Sequence, residues 1–387
     1  MKIARSVKNK ILKLRLKAYD LRQFARDIRF ASAPGREDQT VEITPALQRA
    51  DKIAVIAIRP TKESQFSTLN FMKSLHENGY RILIGSDGAV NGEFKSSLDL
   101  LSVHYLVRPP VGRDFGVYKD ACLVLHERGL LDTCSYLLLA NDSMFYPKST
   151  KELIEEAESS CETWACLFEN FRDGYHAQSF FLIFGKPVFL HPRFLEFWAS
   201  YHPSSTRSHA IRKGEIALSS TLVDTIGYPH CVFSSVKLRE CLGRLETRNL
   251  IELFSSLASI GNYGDLLAMS AYEPLGRWNA AFGSMKLDLG QAVEESAYRS
   301  ILISALCRLA ESSNPTHSLG LILNRLFEAP VKRDLGWRGM YPLADVVGQV
   351  RGFEGDELSM MAADLRQRGL PASVQGFSRY LYHKGRI

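Results

Sequence analysis

Apolar and polar positions alternate in a regular order between residues 51 and 140. The run at 52–58 (KIAVIAI) is apolar and β-branched, which predicts a strand that is buried on both faces. Similar runs and amphipathic segments follow in turn, with strands at 80–85, 103–107 and 135–140 and helices at 64–78 and 114–128. This β-α-β-α-β order predicts a parallel sheet covered by helices, in which ligands bind at the carboxyl ends of the strands.

The pattern changes after residue 150. Shorter strands are predicted at 164–168, 177–184 and 228–233, and helices at 150–160, 192–201 and 213–226. From about residue 245 the periodicity is mostly helical, with breaks at Asn314-Pro315 and at 328–330. We therefore expect three parts: a basic N-terminal helix (1–36), an α/β domain (37–240) and a helical C-terminal domain (241–387).

The first 36 residues combine helical periodicity with a strong positive charge. They hold eleven Lys and Arg against two Asp, so their net charge is +9. Apolar residues recur every three or four positions, at Ile3, Val7, Ile11, Leu14, Ala18, Leu21, Ala25 and Ile28. Such a helix is expected to lie on an anionic membrane surface with its apolar side down. The alternative is a helix that packs on the protein's own body or on a partner subunit.

The composition of the whole chain excludes several classes of protein. The residues after the N-terminal helix carry 37 basic and 40 acidic side chains, so a surface for nucleic acid is not expected. No apolar run approaches the roughly 20 residues of a membrane-crossing helix, and the N-terminus lacks the apolar core of a secretory signal. We therefore expect a cytoplasmic protein. Its seven cysteines form no CxxC pair, which argues against a zinc site or a disulfide framework.

Several sequence motifs that identify enzyme classes are absent. The chain has no GxGxxG after the first predicted strand and no GxxxxGK[ST], which argues against a dinucleotide fold and a P-loop. It also lacks the GxSxG and HExxH motifs of esterases and zinc proteases. Hydride transfer, ATP hydrolysis and ester hydrolysis are therefore not favoured.

The segment 112–120 (GRDFGVYKD) follows the third predicted strand and opens a helix. Two glycines, a helix N-terminus and the cations Arg113 and Lys119 suit the binding of a diphosphate, with Asp114 fixing Arg113 or the loop. The alternative is a tight turn in which Asp114 caps the helix and the arginine forms an ion pair.

Acidic and amide side chains follow two other predicted strands. Asn141, Asp142 and Ser143 come directly after the strand at 135–140, and a carboxylate there can hold a divalent ion that bridges two phosphates. The alternative is an Asx turn that ends the strand. Asp87 follows the second strand and is a candidate contact for the base or ribose of a nucleotide.

Glu215 opens a later helix in the segment KGEIALS. A carboxylate in that place can act as general base to a sugar hydroxyl, or it can be a favourable charge in the first helical turn. His176, Gln178 and Ser179 begin a strand, where they can hydrogen-bond sugar hydroxyls or serve the structure alone. The order of these elements matches the layout of a GT-A glycosyltransferase.

The chain resembles the rhamnan synthesis protein F family. The resemblance covers roughly residues 51–240 and 312–336. It is carried by GRDFG at 112–116 with Lys119-Asp120, by Asn141-Asp142-Ser143, by HAQSF at 176–180, by Glu215 with Leu218-Ser219 before Gly227-Tyr228, by NPTH at 314–317 and by PVKRDL at 330–335.

The resemblance implies a GT-A-like three-layer α/β/α sandwich with a Rossmann-like nucleotide-binding half, followed by the helical C-terminal region. It implies transfer of L-rhamnose from dTDP-L-rhamnose to a lipid-linked or polymeric glycan in O-antigen, rhamnan or capsule synthesis. The protein is then expected on the inner face of the plasma membrane, with other glycosyltransferases as candidate partners.

The site residues take the following roles in that scheme. Glu215 is the base of an inverting displacement, and Asp142 ligates a divalent cation, Mg²⁺ or Mn²⁺. The donor is expected to contact Arg113, Asp114, Lys119, Asp87 and Asn141, and the acceptor His176, Gln178 and Ser179. Asn141 stands where a second acidic residue is expected in the family, so ligation rests on Asp142 alone.

Three other functions are compatible with the same residues. The first is a non-catalytic subunit of a polysaccharide-assembly complex, which the missing acidic residue at Asn141 favours. The second is an enzyme of the same fold that uses a UDP- or GDP-sugar. The third is a structural adaptor that uses the helical C-terminus, although it leaves the polar residues at the strand ends unexplained.

Overall fold

A seven-stranded sheet lies at the centre of the protein. The structure is a computed structural model and describes residues 14–15, 17–28, 45–59, 66–86, 90, 92–108, 111–172, 174–257, 289–335 and 343–367. The strand order in the main sheet is β10-β6-β9-β4-β1-β2-β3, and two small sheets pair β11 with β5 and β7 with β8. The strands are β1 (Lys52–Ile58), β2 (Tyr80–Ser86), β3 (His104–Val107), β4 (Tyr136–Asn141), β5 (Met144–Phe145), β6 (Trp164–Cys166), β7 (Glu169–Asn170), β8 (His176–Ala177), β9 (Phe181–Gly185), β10 (His230–Cys231) and β11 (Val331–Lys332).

The main sheet is mostly parallel, as the alternating pattern predicts. β1 pairs in parallel with both β2 and β4, so that Lys52 lies opposite Tyr80 and Tyr136. β2 pairs in parallel with β3, and β6 with β10. The exception is β9, which runs antiparallel between β4 and β6. The fold is therefore mixed α/β with a central, mostly parallel sheet.

Helices cover both faces of this sheet. Along β1 the odd-numbered residues 53–57 belong to one buried apolar cluster with α5 and α8, and the even-numbered residues 54–58 to another with α3. The helices are α1 (14–15 and 17–28), α2 (Pro45–Gln48), α3 (Phe66–Glu77), α4 (Gly92–Leu98), α5 (Arg113–Glu127), α6 (Lys151–Ser159), α7 (Lys186–Phe189), α8 (Pro192–Ser200), α9 (Arg207–His209), α10 (Ala217–Thr225), α11 (Ser235–Arg244), α12 (Thr247–Leu257), α13 (Leu289–Ser312), α14 (Pro315–Ser318), α15 (Gly320–Phe327), α16 (Leu343–Gln349) and α17 (Asp356–Gln367).

Two predicted elements differ from their predictions in ways that shape the site. The strand expected at 177–184 is interrupted, because residues 178–180 leave the extended path between β8 and β9. The helix expected at 213–226 begins earlier, with a π-helical segment at Ala210–Ile216 that continues into α10. π-helical turns are rare and occur often at functional sites.

The helical prediction for the N-terminus is confirmed for residues 14–15 and 17–28. The rest of the predicted 1–36 helix lies outside the described residues. None of the described helices is long and apolar enough to cross a membrane.

The C-terminal elements pack against the sheet. β11 pairs antiparallel with β5, and α13, α15, α16 and α17 contribute to the apolar cluster that also holds α3. The division of the chain at residue 240 stays a prediction.

A buried ion pair joins the last described helix to the sheet. Arg333 contacts Asp364 (Nη1 to Oδ2, 3.2 Å), and the two side chains are 2% and 1% exposed. The same guanidinium donates to Thr68 Oγ1 at 3.1 Å and to the Met144 carbonyl at 3.2 Å. Three separate segments of the chain therefore meet at Arg333.

Replacement of Asp364 by Ala should lower the free energy of unfolding by about 3–5 kcal/mol, because it removes a carboxylate that compensates the buried Arg333 charge. The double variant Arg333→Met/Asp364→Leu should lose much less, since both charges are removed. Urea unfolding measures both values. Lys151→Ala is the control, because Lys151 and Glu155 form an exposed pair at 3.9 Å that should contribute below about 1 kcal/mol. A loss from Asp364→Ala as small as the control's would contradict this account of the pair.

Candidate functional site

Asp142 lies where the carboxyl ends of β1 and β4 meet. Its backbone N–H donates to the Ala57 carbonyl at 3.1 Å, and its Oδ2 accepts a hydrogen bond from the Arg59 N–H at 3.0 Å. Oδ1 accepts no hydrogen bond from the described residues. The carboxylate thus closes the ends of two strands and keeps one oxygen for another partner.

Asn141 connects the end of β4 to the start of α5. Its Nδ2 donates to Asp114 Oδ2 at 2.9 Å, and its Oδ1 accepts from the backbone and the hydroxyl of Ser143. Asp114 Oδ1 in turn accepts from the Phe115 N–H at 3.1 Å. An amide is suited to this position because it must donate on one side and accept on the other. A second carboxylate here would face that of Asp114.

The glycines of the 112–116 segment are required by close packing. Gly112 has φ +90°, and a Cβ on it would lie 2.3 Å from Cβ of Pro203. A Cβ on Gly116 would lie 2.4 Å from the Val111 carbonyl oxygen. These contacts support the tight-turn interpretation. Arg113 adopts φ +56°, a left-handed conformation that is costly for a residue with a side chain and often marks a functional site.

Lys119 and Asp87 were predicted to contact the nucleotide-sugar donor. The structure places Lys119 elsewhere and does not describe Asp87. The Lys119 amine donates to the carbonyls of Tyr201 (2.5 Å) and Ala199 (3.2 Å) at the end of α8, and burial lowers its pKa. No described contact brings Lys119 to Asp142 or Glu215. Asp87 lies outside the described residues.

Glu215 lies in the π-helical segment and faces the interruption between β8 and β9. Its Oε1 accepts from the Ser179 hydroxyl at 2.7 Å and from the Ser179 N–H at 3.3 Å, and its Oε2 is 3.7 Å from His176 Nε2. His176 Nδ1 is 2.9 Å from the Gly174 carbonyl, which can only accept, so Nδ1 carries the hydrogen. A Cβ on the preceding Gly214 would lie 2.8 Å from the Phe115 ring, so the glycine lets this segment pack on α5.

Gln178 binds the C-terminal part of the chain. Its Nε2 donates to Asn314 Oδ1 at 3.2 Å, and its Oε1 accepts from the Thr316 hydroxyl at 3.2 Å. Both polar atoms of the amide are therefore used to hold α14. This arrangement favours the structural interpretation of Gln178.

Lys332 is a site residue that the sequence analysis did not assign. Its Nζ donates to Ser143 Oγ at 2.8 Å and lies 4.7 Å from the centre of the Phe180 ring. Burial lowers the pKa of Lys332, while the nearby carboxylates of Asp334, Glu215 and Asp114 raise it. The amine therefore connects Ser143, which bonds to Asn141, with the neighbourhood of Glu215.

Asp334 completes the cluster from the same C-terminal segment. Its Oδ1 is 2.8 Å from His317 Nε2, and its Oδ2 is 3.7 Å from Arg207 Nη1. Burial alone would raise the pKa of Asp334, but His317, Lys332 and Arg207 hold it well below its usual range. Sequence signals existed for His317 and Asp334 only as parts of the family-like segments 314–317 and 330–335, and none existed for Arg207.

Tyr201 lies beside the same charges. Burial raises the pKa of its phenol, the carboxylates of Asp114 and Glu215 raise it further, and Arg113 opposes them. The hydroxyl is buried and has no hydrogen-bond partner among the described residues. An unsatisfied buried hydroxyl costs about 1–3 kcal/mol, so a polar group of a ligand would be stabilised beside it.

The side chains around Asp142 limit the kind of metal site that is possible. In the described ranges no group of three or more His, Cys, Asp or Glu side chains is placed to hold an ion. Mg²⁺ commonly takes one or two protein carboxylates and completes its shell with water and substrate phosphates. The Asp142 carboxylate with its remaining oxygen fits that kind of site, one that needs a phosphate ligand.

The role of the Asn141 amide leads to a stability prediction. Asn141→Asp should lower the free energy of unfolding at neutral pH by about 1–3 kcal/mol, because the Asp114 carboxylate loses a donor and gains a like charge. Such a pair raises the pKa of one carboxyl, so the loss should shrink as the pH falls toward about 5. Urea unfolding at both pH values measures this. Asn170→Asp is the matched control, because within the described part of the chain the Asn170 side chain accepts from the Arg172 N–H at 2.9 Å and donates to no carboxylate. Equal losses from both variants would contradict the proposed role of the amide.

The depressed pKa of Asp334 gives a second prediction. A carboxyl whose pKa is lowered by folding contributes stability above its unfolded pKa of about 3.9, and this contribution is lost as the pH falls through the folded pKa. Asp334→Asn should therefore cost about 2 kcal/mol at pH 7 and progressively less below about pH 4. Unfolding measured across this range tests the sign. The same change at the exposed Asp132 is the control for an acid-to-amide substitution. A loss from Asp334→Asn that is constant with pH would refute the assignment.

Comparison with known proteins places the chain near one protein without an assigned activity. No protein-family model matches the chain. It is 26% identical over 217 residues to the uncharacterized protein y4gN of Sinorhizobium fredii (strain NBRC 101917 / NGR234), an alignment that covers 54% of this chain and 55% of y4gN. The chain thus matches about half the length of this relative.

Proposed function

We propose that the protein is a glycosyltransferase with a GT-A-type fold. The donor that the family resemblance favours is dTDP-L-rhamnose, and the acceptor is a lipid-linked or polymeric glycan of the bacterial cell surface. The observation that carries the proposal is that one partly buried amine, Lys332, bonds to Ser143, the residue after Asp142, and lies near Glu215, at the carboxyl edge of a mostly parallel sheet. Ligands bind sheets of this kind at that edge.

Glu215 is the proposed general base. One of its oxygens is held by Ser179, which fixes the carboxylate, and the other faces His176 Nε2. In an inverting displacement Glu215 takes the proton of the acceptor hydroxyl, and the hydroxyl oxygen attacks the anomeric carbon. The bond from that carbon to the diphosphate breaks, and its electron pair leaves with the diphosphate. His176 and Ser179 orient the base, and both remain the proposed contacts to the acceptor.

The leaving diphosphate gains negative charge, and fixed cations stabilise it most effectively where water is excluded. Lys332 and Arg113 are the proposed cations. Lys332 lies near Asp114 and Glu215, and Arg113 acts on the same Tyr201 phenol as these two carboxylates. Lys332 has the role of diphosphate-binding cation that was predicted for Lys119. Asp142 would hold Mg²⁺ or Mn²⁺, which when bound neutralises phosphate charge.

A non-catalytic subunit of a polysaccharide-assembly complex is the second candidate. It is favoured by Asn141, whose amide is hydrogen-bonded on both sides and offers no second carboxylate for a metal. Such a protein would bind a nucleotide-sugar or a glycan and release no nucleoside diphosphate. The same fold with a UDP- or GDP-sugar is a variant of the first proposal.

Release of nucleoside diphosphate from dTDP-, UDP- and GDP-sugars tests the proposal, with a bacterial lipid extract as acceptor and with or without Mg²⁺ or Mn²⁺. Glu215→Gln should lower kcat about 100-fold or more, because the amide keeps the Ser179 hydrogen bond and cannot take a proton. Lys332→Met should lower it about as much, since it removes a cation from the leaving group. Glu196→Gln is the matched control, because Glu196 lies exposed in α8 beside Arg193.

Thermal unfolding with free nucleotides separates the candidates. A nucleotide at about 100 times its Kd adds about 2.7 kcal/mol to stability, so the preferred base is identified by the largest shift. Stabilisation without release from any donor would favour the non-catalytic subunit. If the nucleotides do not stabilise the protein and no donor releases nucleoside diphosphate, both candidate functions are refuted.

A further inference from the structure

α1 is attached to the body of the protein by one face. Asp27 is buried: its Oδ2 accepts from the Ser205 N–H at 2.8 Å and from the Ser204 hydroxyl at 3.1 Å. About two turns earlier, Asp20 Oδ2 accepts from the Ser208 hydroxyl at 2.9 Å. Both acidic residues of the first 36 are therefore used in this attachment.

Aromatic stacking adds to the same face. The Phe24 ring stacks on the His209 ring with a centroid distance of 5.5 Å. The attached face is thus formed by Asp20, Phe24 and Asp27, and it lies on the loop and short helix at 204–209. None of these three residues belongs to the apolar stripe that the sequence shows.

The apolar stripe points away from the body. Leu14, Leu21 and Ile28 are 66%, 68% and 43% exposed, and Ala18 and Ala25 between them are exposed as well. At about 100° per residue these five positions share an arc of roughly 80°, whose centre is roughly 110° from the centre of the attached face. The helix therefore packs on the body and still presents its apolar side outward.

Basic side chains border the exposed stripe. Arg15, Arg22 and Arg26 share one flank, roughly 100° from the centre of the stripe, and Lys17 lies on the other flank. All four are exposed. An apolar stripe with basic margins is typical of helices that lie in a lipid interface, where long basic side chains reach the headgroups.

We propose that the outer face of α1 docks the protein on an anionic lipid bilayer, with Leu14, Leu21 and Ile28 in the acyl boundary and the four basic side chains against the headgroups. Charge selects lipid over a second copy of the chain, because a second α1 would bring the same positive charge. Both sequence interpretations of this helix then apply together, each to a different face.

The docked helix lies next to the candidate site. Ser205, which donates to Asp27 through its hydroxyl, also accepts from the Gly112 N–H at 3.4 Å, directly before α5. If the proposed function holds, docking would bring the site close to lipid-linked acceptors. The membrane proposal itself does not depend on the activity.

Co-sedimentation of the full chain with vesicles tests the proposal. The vesicles contain phosphatidylcholine alone or with phosphatidylglycerol in about equal parts, and binding is expected only to the second, with a decrease at high salt. Leu14→Glu/Leu21→Glu should lower the partition coefficient at least about tenfold for each leucine. Arg15→Gln/Arg22→Gln/Arg26→Gln should lower it about fivefold for each arginine.

Val236→Glu is the matched control, because Val236 is 64% exposed on α11 and should not affect binding. The variants change only exposed side chains, and unchanged thermal unfolding verifies that they are folded. Absence of binding by the wild type, equal binding to both vesicles, or equal loss in the control would overturn the proposal. Self-association that the leucine variants abolish, without vesicle binding, would instead identify a second copy as the partner.

Discussion

Three consecutive residues at the end of the central strand β4 hold the sides of the candidate site together. Asp142 bonds to the end of β1, Asn141 bonds to Asp114 at the start of α5, and Ser143 accepts from Lys332. The Ser143 carbonyl also accepts from the Arg333 N–H at 3.0 Å, which fixes β11. Because each side chain binds a different segment, the relative positions of strand, helix and C-terminal segment depend on this one strand end.

The burial of Lys332 follows from that arrangement. A buried ammonium is costly unless opposite charges and hydrogen-bond acceptors surround it. Ser143 supplies the acceptor, and Asp334, Glu215 and Asp114 supply the charge. Such a cluster is electrostatically strong because little water screens it, and it can stabilise a charged ligand without reorganising. The same arrangement explains why the C-terminal segment must pack against the sheet: without it the carboxylates would lack their central cation.

More of the sheet than of the candidate site could be predicted from the sequence. The run at 52–58 could be assigned from composition alone, because a strand buried on both faces must be apolar throughout. The interruption after Ala177 could not, because polar residues such as Gln178 and Ser179 also occur within strands, and the Ser179 bonds that accompany the break are to Glu215, 36 residues away. Asp114, Asn141 and Glu215 were proposed as site residues from their places at the ends of predicted elements. Lys332 was given no role although it lies in the family-like segment 330–335, and nothing in the sequence pointed to Arg207, since a cation gains such a role only from distant carboxylates.

The N-terminal helix shows the same division. The sequence by itself predicted the helix found at residues 14–15 and 17–28, with its apolar stripe and basic margins, because periodicity is a local property of the chain. It also determined the order of strands and helices in the α/β part. Only the tertiary structure decided that Asp20 and Asp27 attach the helix while its apolar stripe stays outside, and that Lys332 lies between Asp114 and Glu215. These outcomes depend on which distant polar groups satisfy one another in a low-dielectric interior, and no spacing along the chain encodes them.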